Sequence, residues 1–206
     1  MVFELLFLAL AFATLISLVT ALAMAIRRRR VARLLLSVGI VWAMYLTIVA
    51  AVSAATPQKR IPMGQEQCFD EMCFSVAHVE AFSELGLAAQ PTRATGRFYV
   101  VTVRMTSRSR GRPQREGGLR ALLWSAGKYY HVSAEGQTAW EMAHAPAAGL
   151  TARLNPGESL LSVQVFDLPN SVTTPGLVLS HGFTPGYFVI GECPMFHPPA
   201  IMLLAQ

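Results

Sequence analysis

Apolar positions run unbroken through the first quarter of the chain and alternate with polar ones through the rest. From Leu5 to Ile26 and from Leu34 to Ala55 stand two stretches of 22 residues without a charge. Each makes about 33 Å of helix, against a hydrocarbon core of about 30 Å. Almost no polar face interrupts them, so residues 1–56 are predicted to form a transmembrane helical hairpin (5–26 and 34–55) rather than core helices of a soluble domain. Residues 57–67, with two prolines, a glycine and no apolar period, read as a linker that reaches about 40 Å when extended. Beyond it the period drops to two. Short β-rich runs at Met72–Val79, Arg97–Thr106, Leu119–Trp124, Lys128–Val132, Ser159–Leu168, Leu177–His181 and Ala200–Ala205 are separated by turn residues. In Arg97–Thr106 the alternation puts Tyr99, Val101, Val103 and Met105 on one face, the expected core face. About seven short strands without a long helix predict an all-β sandwich over residues 68–206. Residues 133–150, rich in Ala and Gly around Trp140 and Met142, fit either a loop or one short helix.

Within the two spans, small residues recur every fourth position: Ala9, Ala13, Ser17, Ala21 and Ala25 in the first, and Gly39, Ala43, Thr47, Ala51 and Ala55 in the second. Such stripes let helix backbones approach closely where lipid gives no hydrophobic drive to associate. A hairpin turning at Arg30 sets Ala21 against Gly39, Ser17 against Ala43, Ala13 against Thr47 and Ala9 against Ala51. These are the expected packing contacts.

Two turns are written in residue types. Asn155-Pro156-Gly157-Glu158 has Pro and Gly at the central positions of a type II turn, where Gly accepts φ > 0. Ser125-Ala126-Gly127-Lys128 reads as a hairpin connection between two β-rich runs.

Charge sets the topology. Five arginines, Arg27, Arg28, Arg29, Arg30 and Arg33, face Glu4 alone in residues 1–56, whereas the remaining residues are nearly balanced. The basic pI of about 9.5 therefore describes the hairpin tip. By the positive-inside rule the tip is cytoplasmic, which places both termini and everything after Ala55 outside the cytoplasmic (inner) membrane. A cleaved signal peptide over residues 27–55, ending at Ala51-Val52-Ser53-Ala54-Ala55, is the rival reading and leaves the later domain in the same compartment.

The segments Gly96-Arg97-Phe98-Tyr99-Val100-Val101-Thr102-Val103-Arg104, Gly127-Lys128-Tyr129-Tyr130, Leu154-Asn155-Pro156-Gly157-Glu158-Ser159 and Val165-Phe166-Asp167-Leu168-Pro169 occur in this order. Together they resemble the telokin-like, immunoglobulin-like domain of unknown function found in bacterial lipoproteins and membrane-anchored extracytoplasmic proteins, over roughly residues 70–205. The resemblance implies an immunoglobulin-like extracytoplasmic sandwich and assigns no catalytic residue. The chain departs from that pattern at Ser107 and the arginine-rich stretch after it, and at Ser125-Ala126 before the hairpin glycine.

Cys68 and Cys73 stand five apart in a compartment where disulfides persist. Three cysteines allow three single pairings; the local one, Cys68 with Cys73, is the expected bridge and leaves Cys193 unpaired. A redox pair is the sharper reading, but it usually carries Cys-X-X-Cys spacing, and Asp70 and Glu71 between these thiols disfavour a thiolate. His78, His131, His144, His181 and His197 show no metal-ligand spacing. No nucleophile elbow, phosphate-binding Gly loop or dinucleotide fingerprint is present, so no cofactor or catalytic residue is expected.

One charged feature remains. Arg104, Arg108, Arg110, Arg112, Arg115 and Arg120 fall within 17 residues that contain Glu116 as their one acidic residue. A solvated loop is the plain reading; contact with anionic material is the functional one. Nucleic acid is not the expected partner, because no aromatic is interleaved to stack bases. The chain is thus expected to be a membrane-anchored extracytoplasmic binding or scaffolding module that contacts an envelope protein, a polymer or an anionic surface. The alternative is an extracytoplasmic enzyme or metal/redox sensor built from the scattered His and Cys residues.

Overall fold

The computed structural model describes residues 2–26, 31–180 and 200–204, together with Phe188, Ile190, Phe196 and Pro198. The chain divides into two compact units, one of Met1–Gln58 with Phe183–Pro199, the other of Lys59–Gly182 with Ala200–Gln206.

The first unit holds α1 (Val2–Ile26) and α2 (Ala32–Ala55), and both are long and apolar enough to cross a membrane. Their exposed side chains, among them Leu8, Phe12, Leu15, Val19, Leu36 and Met44, are those of helices that lack a polar face. Arg27, Arg28, Arg29 and Arg30 lie outside the described residues, and Arg33 is exposed in the first turn of α2.

The second unit is a two-sheet, sandwich-like arrangement. Its strands are β1 (Lys59–Ile61), β2 (Gln67–Phe69), β3 (Met72–Leu87), β4 (Gln90–Ser107), β5 (Arg120–Ser125), β6 (Lys128–His131), β7 (Ser159–Leu168), β8 (Gly176–Ser180) and β9 (Ala200–Leu203). One sheet has the order β1-β9-β8-β5-β6 and the other β2-β3-β4-β7. All pairs are antiparallel except β1 with β9. Each of the seven β-rich runs overlaps a strand, but β3 and β4, at 16 and 18 residues, are longer than the short strands expected.

The linker expectation for residues 57–67 is corrected. Lys59–Ile61 form β1 and Gln67 opens β2, and Ile61 is 2% exposed in the main core. Three-residue strands are too short to show a period of two, and β1 exists because it pairs with β9 from the far end of the chain. Only Thr56–Gln58 separate α2 from β1.

The main core lies between the sheets. Phe74, Val76, Val101, Val103 and Met105 of one sheet meet Leu123, Leu177, Leu179 and Met202 of the other. The predicted core face of β4 is therefore correct at Val101, Val103 and Met105, with Tyr99 half-buried. The opposite face of β4 is buried as well at Phe98 and Val100. It is covered by α3 (Ala134–Ala143), which settles the nature of residues 133–150. Ser133 caps α3 by accepting a hydrogen bond from the Gly136 amide at 3.1 Å. Gly136 sits where a Cβ would come within 2.8 Å of Val165 and 2.9 Å of Phe98, so the helix reaches the sheet only because that position is bare.

Both turns read from the sequence are present. In the first, Glu158 N donates to Asn155 O at 3.0 Å with Gly157 at φ 76°, the geometry of a type II turn. In the second, Ser125 pairs with Lys128 across Ala126 (φ 47°) and Gly127 (φ 83°), a two-residue loop with both centres left-handed, as in type I′.

Candidate functional site

The arginine-rich loop leaves β4 at Ser107 and rejoins the fold at β5. Its entry is stitched to the 155–158 turn, because Ser107 N donates to Glu158 O at 2.9 Å and Gly157 N donates to Ser107 O at 3.0 Å. Arg108 N donates to Glu71 O at 2.7 Å. In mid-loop, Gln114 exchanges backbone hydrogen bonds with Leu154 at 2.9 and 2.8 Å, and its side chain donates to Glu71 Oε2 at 2.9 Å. Ser109 Oγ donates to Arg112 O at 2.7 Å. Leu119, buried in the main core, anchors the exit. The glycines and proline therefore shape a pinned loop, not the adaptable one their composition suggests.

The six arginines separate into three groups. Arg108 is ion-paired with Glu66 and so is already neutralised. Arg104 stands on β4 opposite Ser75, beside Met63 and Gly64, and Arg120 opens β5 in the other sheet. Arg110, Arg112 and Arg115 project from the loop itself. All of these are exposed. Among the described residues no carboxylate lies within ion-pair distance of Arg110, Arg112 or Arg115. Among the described residues, the pinned loop thus presents three guanidinium groups within six residues that have no carboxylate partner.

Beside this loop, Cys68 and Cys73 form a disulfide. They are register partners across the β2–β3 hairpin, with Cα atoms 3.9 Å apart, and the hairpin turns through Asp70 at φ 52°. Glu66 Oε and the two sulfurs lie within 4.8 Å of one another. Such a cluster invites a metal reading, but both sulfurs are bonded to each other and Glu66 is engaged by Arg108, so it supplies no free donor set. Cys193, His181 and His197 lie outside the described residues. Of the other histidines, His78 lies 3.6 Å from Glu80 on the surface, and His144 stacks on Trp140 with ring centroids 3.6 Å apart.

The helix pair meets along a different face from the one expected. On α1, Phe7, Leu10, Thr14, Ser17 and Ala21 turn inward, a three-four spacing typical of left-handed helix packing. On α2 the inward positions are Leu34, Val38, Trp42, Tyr45 and Val49. Trp42 Nε1 donates to Thr14 Oγ1 at 2.8 Å, which in turn donates to Leu10 O at 2.8 Å. The expected stripe is corrected on α2: Gly39, Ala43, Thr47 and Ala51 are exposed, and no atom lies within 4 Å of where a Gly39 Cβ would be. On α1, Ala9 is exposed, Ala13 and Ser17 line a concavity beside Trp42, and Ala21 is buried. The reason is size. The Trp42 and Tyr45 rings occupy the seam, so the contact is aromatic to small, not small to small.

No family model matches this sequence, and no curated protein matches it. Two solved structures are similar. One is a conserved hypothetical protein from Bacillus anthracis, 12% identical, with a TM-score of 0.49, covering 60% of this chain and 92% of that one. The other is an uncharacterized beta-sandwich protein from Clostridium difficile 630, 8% identical, with a TM-score of 0.35, covering 72% of this chain and 95% of that one. The chain is two apolar N-terminal helices with a β-sandwich-like domain.

Proposed function

We propose that this chain is a membrane-anchored extracytoplasmic binding or scaffolding module. In this reading α1 and α2 cross a bacterial cytoplasmic (inner) membrane with the Arg27–Arg33 tip on the cytoplasmic side. The immunoglobulin-like sandwich then faces an envelope protein, an envelope polymer or an anionic lipid surface. The observation that carries the reading is the trio Arg110, Arg112 and Arg115, exposed and unneutralised on a loop held at both ends and in the middle. Arginine suits such a contact because its planar guanidinium makes two-point contacts to phosphate or carboxylate and keeps its charge at any relevant pH. Holding the loop in place lowers the entropy lost on binding. The Cys68–Cys73 bridge supports an oxidising compartment for the sandwich.

The test has two arms. Reporter fusions after Arg30 and after Gln206 are expected to give opposite sides of the membrane; matching sides overturn the topology. The full chain in neutral-lipid nanodiscs is expected to bind anionic vesicles, with binding that falls as salt shortens the Debye length from about 10 Å at 0.1 M to about 3 Å at 1 M. Absence of binding overturns the anionic-surface reading.

A further inference from the structure

We propose that the concavity shared by Arg104 and Ser75 is a binding site for the carboxylate group of a small molecule or a peptide. The site goes beyond the anionic-surface reading, because it uses neither the arginine trio of the loop nor the two helices.

Strand register supplies the first argument. Ser75 and Arg104 are cross-strand partners of β3 and β4, so their side chains leave the sheet on the same face. That face is opposite the one on which Phe74, Val76, Val103 and Met105 enter the main core. Directly after Ser75 the register shifts: Val76 faces Val103 and His78 faces Thr102, which leaves Ala77 as the extra residue of a β-bulge. Bulges bend a strand and re-aim its side chains. A turn supplies the facing wall. Gln65 N donates to Pro62 O at 3.1 Å with Gly64 at φ 84°, and Gly64 N donates to Val76 O at 3.0 Å, which fastens Met63 and Gly64 to the bulged strand. Met63, Gly64, Ser75, Val76, Ala77 and Arg104 line a concavity of about 220 Å³. Clefts that bury drug-sized ligands run from roughly 300 to 1,000 Å³, so this one suits a short acid or a chain end.

Unused bonding capacity supplies the second. Ser75 is 5% exposed, and among the described residues no group forms a hydrogen bond with its hydroxyl. Every described side-chain oxygen that is sealed from solvent has a partner, so Ser75 Oγ opens onto the concavity that it lines. A hydroxyl taken this far out of water is costly until a partner reaches it. Arg104 is exposed at the same concavity, and no described carboxylate lies within ion-pair distance of it. A charged donor and a buried, unpaired hydroxyl therefore converge on one space.

Donor count and charge choose the ligand. The guanidinium offers paired N–H groups that match the two oxygens of a carboxylate, and the Ser75 hydroxyl adds a further donor. A carboxylate carries a single negative charge, which Arg104 balances. Phosphate carries more charge near neutral pH and more acceptor sites than these two side chains satisfy. Met63 and Ala77 give apolar surface to the carbons next to the carboxylate.

The experiment uses the full chain in neutral-lipid nanodiscs and saturation-transfer NMR, which reads the methyl signals of weakly bound small molecules. The ligands offered are butanoate, N-acetylglycine and, as an uncharged control, butanamide. Saturable transfer to at least one of the acids and none to butanamide is expected. Stronger binding of N-acetylglycine assigns the carboxylate to a peptide, and stronger binding of butanoate assigns it to an aliphatic acid. Arg104→Gln should abolish the transfer. Arg104→Lys, which keeps the charge and loses the fork, and Ser75→Ala should each weaken binding roughly tenfold. The variant Arg110→Glu, Arg112→Glu and Arg115→Glu should bind as the native chain does, so this site and the loop surface fail separately. Circular dichroism in the β region checks that each variant is folded, and Arg104→Lys with Ser75→Ala carries the test if Arg104→Gln is not. Four results overturn the proposal: no transfer to either acid, transfer to butanamide equal to that of butanoate, native binding in the folded Arg104 variants, or displacement by inorganic phosphate at lower concentration than by either acid.

Discussion

Gln137 closes the open edge of β7 at Val165. Its side-chain Oε1 accepts the Val165 amide at 3.0 Å, and its Nε2 donates to the Val163 carbonyl at 3.2 Å, so one amide group stands in for a residue of a neighbouring strand. Ser133 N completes the edge by donating to Val165 O at 2.8 Å. Val165 is fully buried, with the half-buried Gln137 side chain covering its amide.

Gln137→Ala is therefore expected to destabilise the sandwich by about 1 to 3 kcal/mol, the cost of an unsatisfied buried polar group. Gln137→Glu keeps the acceptor for Val165 N–H but turns a carboxylate oxygen onto Val163 O and onto Glu141 Oε1, to which Gln137 Nε2 donates at 2.9 Å, so it should also destabilise. Thermal unfolding of the full chain in detergent, followed by circular dichroism in the β region, measures both. An unchanged midpoint for Gln137→Ala contradicts the edge-closing role.

Ala126 carries an avoidable cost. It holds φ 47° in the β5–β6 turn, a region where a Cβ crowds the backbone and where Asn is much better tolerated. Ala126→Asn, which creates the favoured Asn-Gly pair, should stabilise the domain by roughly 0.5 to 1 kcal/mol in the same unfolding measurement. A lowered midpoint contradicts this.

The parts of the fold legible in the sequence are those whose signal is local. The two charge-free runs match α1 and α2 to within three residues, and the strand runs and the Pro156-Gly157 turn depend on neighbours a few positions away. What escaped is what tertiary contacts decide. β1 forms by pairing with β9 across the whole domain, so nothing near Lys59–Ile61 announces it. α3 is a short helix containing Gly136, a residue that weakens helices in isolation, and it persists because Ser133 caps it and Phe98 and Val165 receive it. One signal for α3 is legible in the sequence: Phe98 and Val100 are apolar on the face of β4 opposite the core, which marks a strand covered on both sides. The small-residue stripe of α2 does not mark the packing face, because the Trp42 and Tyr45 rings fill the seam. At the candidate site, the clustering of arginines was visible, but the ion pair of Arg108 with Glu66 joins residues 42 apart and was not.

The Cys68–Cys73 bridge closes a small loop, so its contribution should fall below the ~3 kcal/mol expected for a 15-residue loop. Replacing both residues by Ser should leave the chain folded with a modestly lower midpoint, the buried Cys73 position bearing most of the loss. Non-reducing peptide mapping should recover Cys68 joined to Cys73. A Cys193 peptide bridged to either one contradicts this pairing.

Arg110, Arg112 and Arg115 are proposed to form an anion-binding surface. The most direct measurement is binding of the full chain, held in neutral nanodiscs, to phosphatidylglycerol vesicles, for the native protein and for a variant carrying Arg110→Glu, Arg112→Glu and Arg115→Glu. Each arginine near such a surface contributes on the order of 1 kcal/mol. Losing three should weaken binding by roughly 100-fold at low salt, with the unfolding midpoint unchanged because none of the three side chains is paired among the described residues. Binding equal to that of the native chain, or native binding that does not fall with added salt, contradicts the account.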